Sequence, residues 1–117
     1  MEYAVVNVPA APVRRKPMHQ KEMVNQLLFG ERVKILKKRD NRWLKVRSLH
    51  DNYEGWMTHS LLAEADAATA NTPNIFAASA ILNDITVGDK KMKIPFGSSL
   101  PFFNEGKGKI GVLDYEF

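Results

Sequence analysis

The chain has 117 residues, of which 44% are hydrophobic and 26% are charged, a composition typical of a globular protein with one ordinary domain or two very small ones. The absence of cysteine excludes a disulfide, a thiolate zinc site and a cysteine nucleophile within this chain. The net charge of +4 lies entirely in residues 1–66, which permits an anionic partner and is equally ordinary for solubility.

No apolar run approaches the roughly 20 residues needed to span a bilayer, and no signal peptide is visible. The three histidines are too few and too scattered to indicate a metal site. The sequence also has no glycine-rich phosphate loop and no EF-hand spacing, so we expect no cofactor.

The first half of the chain is predicted to form about five short strands. Residues 3–8 are rich in β-branched side chains and end at a proline, which predicts the first strand. Residues 9–22 contain three prolines and no apolar period, which predicts a long loop. Alternating apolar and charged residues predict further strands. They cover residues 26–30, 31–37, 43–47 and 53–58, and a short turn of helix is predicted at residues 60–62.

A helix over residues 22–38 is the competing interpretation, because Met23, Leu27 and Leu28 have helical spacing. Gly30 inside that span and the β-branched residues after it favour strands instead. A barrel of so few residues buries little surface, so we expect Trp43 and Trp56 to supply much of its core.

A small, polar run at residues 63–73 is predicted to be a linker or a short exposed helix that ends before Pro73. Both tryptophans precede it and five of the six phenylalanines follow it, which favours two separate small cores. We therefore predict a first domain at residues 1–64, a linker at 65–74 and a second β module at 75–117. Its strand-like runs are residues 77–82, 91–95, 99–103 and 109–117. Because the last run ends abruptly, we expect the chain to be a piece of a longer protein and the second module to be incomplete.

Three motifs carry a resemblance to a known family. They are Gln-x-x-x-Gly-x-x-Val at residues 26–33, Trp-x-x-Val at 43–46 and Tyr-x-Gly-Trp at 53–56. In this order and spacing they resemble the bacterial SH3-like (SH3b) domain at the N-terminus of NlpC-type cell-wall cysteine peptidases, and the likeness covers nearly all of residues 3–62. Residues 95–101, with a Gly-x-x-Leu-Pro element, resemble a second, weaker SH3b module. The fold implied is all-β: a small SH3-like barrel followed by a second, incomplete SH3b-like module.

The resemblance implies a function in peptidoglycan turnover. Relatives are γ-D-glutamyl-diamino acid endopeptidases, whose first SH3b domain borders the active-site cleft. An acidic loop residue and a tyrosine there recognise the free amino end of the murein stem peptide, and the matching positions here are Glu22 and Tyr53. Since this chain has no cysteine, we expect it to be non-catalytic and to act beside a peptidase domain in cis. The partners expected are murein stem peptide and that domain, with no nucleic acid and no membrane; whether the protein works in the cell envelope or the cytoplasm stays open.

Two other functions stay open from the residues alone. One is a stand-alone adaptor that binds cell wall or peptide. The other is a basic barrel that binds nucleic acid, suggested by the basic clusters at residues 14–16 and 37–39. No aromatic residue interleaves with these clusters along the chain, which disfavours a stacking platform for single strands. Their ordinary interpretation is a solvated loop and a solvated strand end.

Overall fold

The fold is nearly all β in a computed structural model that describes residues 2–18, 23–72, 82–95, 97–111 and 113–117, and this confirms the predicted class. The described strands form two antiparallel sheets. The described helical elements are a single turn of 3₁₀ helix between β6 and β7 of the first sheet and a short α-helix after β7. The strands are β1 (Tyr3–Val6), β2 (Ala10–Arg14), β3 (Met23–Leu28), β4 (Arg32–Arg39), β5 (Trp43–Ser48), β6 (Glu54–Thr58), β7 (Leu62–Ala65), β8 (Leu82–Val87), β9 (Lys90–Pro95), β10 (Lys107–Ile110) and β11 (Leu113–Glu116); the 3₁₀ turn is His59–Leu61 and α1 is Ala67–Asn71.

The first sheet has seven strands in the order β3-β2-β6-β5-β4-β1-β7. Its centre is the meander β4-β5-β6, in which Val33 lies opposite Ser48 and Val46 lies opposite Gly55. The register of β4 shifts between Ile35 and Lys37, where a bulge increases the local twist. The alternation seen in the sequence therefore becomes a strongly bent sheet with one face turned to a core.

The prediction of an unbroken loop over residues 9–22 is wrong, because β2 lies within it. Ala11 and Val13 are buried and alternate with the half-buried Pro12 and Arg14. β2 pairs with β3 along its length but meets β6 in the described register only at Arg14 and Trp56. A strand with so little pairing on one side accommodates a residue without an N–H, which is why Pro12 does not break it.

The helix considered for residues 22–38 is also wrong. The chain forms β3 and β4 there, with a turn at Gly30, whose φ is +82°. That left-handed conformation is easy only for glycine and reverses the chain where a helix would have continued. The predicted turn of helix at residues 60–62 is present as the 3₁₀ turn His59–Leu61.

The core of the first sheet is aliphatic, which corrects the expectation that the two tryptophans fill it. Trp43 is only 7% exposed but lies outside the cluster, and Trp56 is half-buried. Leu44 and Val46 point inward on β5, so Trp43 has the opposite parity and lies on the other face. The cluster consists of Ala4, Val6, Ala11, Val13, Leu27, Val33, Leu44, Val46 and Met57.

The second sheet has four strands in the order β10-β11-β8-β9. The predicted strand at residues 91–95 is present within β9, whereas residues 109–117 form parts of the hairpin β10-β11, which turns at Gly111 with φ +62°. Residues 99–103 are not a strand; they contain turns, with Phe102 at φ +55°. The strand predicted at residues 77–82 lies outside the described residues except for Leu82, which begins β8.

The second core is shared between the two sheets, which corrects the expectation of separate cores. Val5 and Ala65 lie on β1 and β7 of the first sheet and Phe29 lies in its β3-β4 turn, and all three belong to the same buried cluster as Ile94 and Tyr115. The rings of Phe29 and Tyr115 meet edge to face with centroids 6.0 Å apart. The other members are Ile85, Val87, Leu100 and Ile110. The sheets therefore bury apolar surface against each other, although the division into two modules stays a prediction.

The segment between the sheets is structured as far as it is described. β7 pairs with β1 along its length, and α1 follows at once, with the Asp66 carboxylate accepting a hydrogen bond of 2.8 Å from the Thr69 N–H. This capping bond lowers the pKa of Asp66. Thr69 and Ala70 are buried, so the short helix packs against the first sheet and is not the exposed helix expected from the sequence.

Candidate functional site

Tyr53 stands at the tip of the first sheet, directly before β6. Asn52 adopts φ +61°, and the Tyr53 N–H donates to the Asp51 carboxylate at 3.1 Å, which fixes a tight turn. The Tyr53 carbonyl accepts from the Ser48 N–H at 2.9 Å and closes the end of the β5-β6 hairpin. The side chain itself is 50% exposed. A rigid backbone thus presents a phenol ring to solvent.

Glu22, the other residue predicted to bind substrate, lies outside the described residues. The residue after it, Met23, begins β3 and lies opposite Arg14, and Arg14 lies opposite Trp56 in β6. Because β2 runs antiparallel to both neighbours, the end of β2, the start of β3 and the start of β6 share one end of the sheet. Tyr53 lies at that same end, one residue before β6.

Two further carboxylates accompany Tyr53 and were not singled out from the sequence. Asp51 is hydrogen-bonded to the Tyr53 backbone, and Glu54 is the next residue; both are exposed. The sequence signal was present, since Asp51 lies two residues before the Tyr-x-Gly-Trp motif and Glu54 is the second residue of that motif, but an Asp-Asn pair is first of all a turn signal. The β5-β6 turn therefore carries acceptor oxygens of its own around the exposed phenol.

A cavity of about 190 Å³ lies beside this turn, where β4, α1 and the loop that contains Ser99 come together. Arg32 is only 7% exposed there and donates to the Thr69 carbonyl at 3.5 Å. Glu31 accepts from the Leu28 N–H at 3.1 Å. Burial raises the pKa of Glu31 and lowers that of Arg32, and the attraction between the two charges opposes both shifts. The lining residues are Glu31, Arg32, Leu49, His50, Ala70, Thr72 and Ser99.

Residues from distant parts of the chain line this cavity together. His50 belongs to the turn, while Ser99 comes from the second half of the chain, and the Ser99 N–H donates to the Phe29 carbonyl at 2.8 Å. This approach of distant segments leaves no local signal in the sequence, because its residues are far apart along the chain.

Within the part of the chain that the structure describes, no group of three or more histidine, aspartate or glutamate side chains is arranged to hold a metal ion. Among the same residues, no helix has both the length and the apolar character required to cross a bilayer.

In a comparison with protein families, residues 13–62 match the model of the bacterial dipeptidyl-peptidase SH3 domain. The matched span begins within β2 and ends at the first residue of β7, so it contains the β4-β5-β6 meander, the 3₁₀ turn and Tyr53. A comparison with curated proteins finds no match. The match, the all-β sheet and the three motifs at residues 26–33, 43–46 and 53–56 together support a bacterial SH3 domain over residues 13–62.

Proposed function

We propose that this chain is a non-catalytic region of a peptidoglycan hydrolase of the NlpC type, and that it recognises or positions the murein stem peptide for a cysteine peptidase domain in cis. The observation that carries the proposal is the exposed Tyr53, held at the tip of a span similar to the SH3 domain of bacterial dipeptidyl-peptidases. A dipeptidyl-peptidase acts near a free amino end, so such a domain has a terminal ammonium group to recognise.

The chemistry of the site fits that group. An ammonium ion has three N–H donors, and a phenol oxygen and carboxylates accept from them. Tyr53 supplies the phenol, Glu22 is the carboxylate proposed from the family resemblance, and Asp51 and Glu54 add negative charge at the same turn. An acylated amine loses its charge and leaves these acceptors without their strongest partner, so the site selects free amino ends over intact wall.

The test is a titration of the whole chain with the tripeptide L-Ala-γ-D-Glu-diaminopimelate, followed by amide chemical shifts. We expect weak binding, because the chain supplies only one side of a cleft, with shifts concentrated at Asp51, Tyr53 and Glu54. The N-acetylated tripeptide should bind at least about tenfold more weakly, since charge-assisted hydrogen bonds are lost.

Two variants assign the contacts. Tyr53→Phe keeps the ring and removes the phenol oxygen, and Glu22→Gln keeps the shape and removes the charge; each should weaken free-amine binding by about tenfold. Glu64→Gln on β7 is the matched control, because Glu64 is also exposed but lies in another strand. Equal binding of the free and acetylated peptides, or no effect of either variant, would contradict the recognition role.

A further inference from the structure

Four strands of the first sheet bring three cations and a tryptophan into one row. Arg14 on β2 lies opposite Trp56 on β6, Trp56 lies opposite Lys45 on β5, and Lys45 lies opposite Lys37 on β4. Residues directly opposite each other in antiparallel strands project from the same face. The row therefore brings together residues of the two basic clusters, 14–16 and 37–39, and places the ring of Trp56 between cations. The clusters are far apart along the chain, so the sequence pattern did not predict this arrangement.

This row lies on the face away from the first core. Leu44 and Val46 fill the core from β5, so Lys45 between them projects outward, and Lys37 is exposed. The neighbouring pairs of the same parity are Arg39 with Trp43 and Arg47 with Lys34. The outer basic face is thus defined by Arg14, Lys34, Lys37, Arg39, Lys45 and Arg47, with Glu54 opposite Arg47 at its margin.

The spacing of these charges suits a chain of anions better than a single ion. Strands lie about 4.8 Å apart and residues of one parity about 7 Å apart along a strand, so the six cations are spread over a grid more than 10 Å wide. Trp56 is half-buried and is the cross-strand neighbour of both Arg14 and Lys45, and the aliphatic part of a long cationic side chain packs well along such an apolar ring.

We propose that this outer basic face binds a phosphodiester polymer of the bacterial wall, of the polyol-phosphate type. The wall setting rests on the proposed function; the choice of a polyanion rests on charge complementarity. Single-stranded nucleic acid fits less well, because it depends on open aromatic faces for stacking, whereas Trp43 is 7% exposed and Trp56 is half-buried. The polymer would anchor the domain on the wall while the tip at Tyr53 remains available for peptide.

The test is a binding titration of the whole chain with purified ribitol-phosphate wall teichoic acid. Lys37→Gln combined with Lys45→Gln should weaken binding by about tenfold, because each cation close to a polyanion contributes on the order of one decade or less. Lys90→Gln combined with Lys91→Gln is the matched control: it removes the same charge from exposed positions on β9 of the second sheet and should leave binding nearly unchanged. Far-UV circular dichroism and the urea midpoint check that both variants fold.

Three results would overturn the proposal. The first is equal weakening by the two double variants, which would mean that only net charge matters. The second is binding that persists undiminished between about 50 and about 300 mM salt, since exposed charges are screened over that range. The third is tighter binding of a single-stranded DNA of equal charge at the same lysines. The double variant at Lys37 and Lys45 should leave tripeptide binding unchanged, so failure here is distinguishable from failure of the proposed function.

Discussion

Glu31 shows, for a single residue, how partial burial disfavours the charged form of a carboxylate. Its carboxylate is half-buried beside the cavity, and burial raises its pKa above the ordinary value of 4.5. The hydrogen bond from the Leu28 N–H and the positive charges of His50 and Arg32 oppose that shift, while Asp51 adds to it. Since the rise prevails, the folded protein binds this proton more tightly than the unfolded chain does.

Glu31→Gln should therefore change how stability depends on pH. As pH rises from the ordinary carboxyl pKa through the raised folded value, wild type loses folding free energy at this site, because the unfolded state releases the proton first. The glutamine keeps an oxygen for the Leu28 N–H and cannot ionise. We expect the free energy of unfolding of the variant, relative to wild type, to increase between about pH 4 and pH 7, measured by urea denaturation.

The matched control is Glu64→Gln, which removes an exposed carboxylate from β7. A constant difference between Glu31→Gln and wild type across that pH range would show that burial does not disfavour the Glu31 carboxylate.

At the scale of elements, the turn between β3 and β4 is fixed by its contact with the second half of the chain. Gly30 has φ +82°, and a Cβ built there would overlap the Ser99 carbonyl oxygen and come within 3.2 Å of Pro101. The same approach allows the Ser99 N–H to donate to the Phe29 carbonyl. Glycine is thus required for the left-handed turn and also for the close passage of another backbone.

Gly30→Ala and Gly106→Ala separate these two requirements. Both glycines have φ +82°, but a Cβ at Gly106 meets nothing within 4 Å. Gly106→Ala should cost about 1 kcal/mol from backbone strain alone, and Gly30→Ala at least twice as much, because the Ser99 backbone has to move. Urea denaturation of the two variants measures the difference; equal destabilisation would mean that the passage of Ser99 past Gly30 is not tight.

At the scale of the whole molecule, the shared core predicts that the two sheets unfold together. The cluster around Tyr115 includes Val5, Phe29 and Ala65 from the first sheet and its β3-β4 turn, and the Tyr115 hydroxyl donates to the Pro101 carbonyl at 2.8 Å. Burial raises the pKa of that hydroxyl, consistent with its place inside the cluster. Removing apolar volume from one sheet should therefore destabilise the other.

Ile94→Ala tests this coupling. Ile94 is fully buried on β9, and its truncation should cost about 2–5 kcal/mol by leaving a cavity. Both tryptophans lie in the first sheet, so tryptophan fluorescence reports that sheet alone. We expect its urea midpoint to fall together with the loss of amide protection on β8 and β9. An unchanged fluorescence midpoint, with protection lost only in the second sheet, would show two independent units.

The local pattern of the sequence was sufficient for the strands whose neighbours alternate cleanly. Residues 43–47 and 53–58 were predicted and β5 and β6 are present there, because period-two burial is a property of the strand itself. The same reasoning missed β2, since prolines mark loops unless the pairing partners tolerate them. Tyr53 was predicted as a site residue and is exposed, while its role stays a prediction.

Residues close together in the chain were enough to predict the all-β class, the strands at the centre of the first sheet and the resemblance of its motifs. The place of Phe29 in the second core, the position of the tryptophans outside the first core and the row of Arg14, Trp56, Lys45 and Lys37 follow from the tertiary structure alone. These features depend on which distant strands pair and on which face packs against another sheet. Such choices minimise exposed apolar surface over the whole molecule and leave no local signature in the chain.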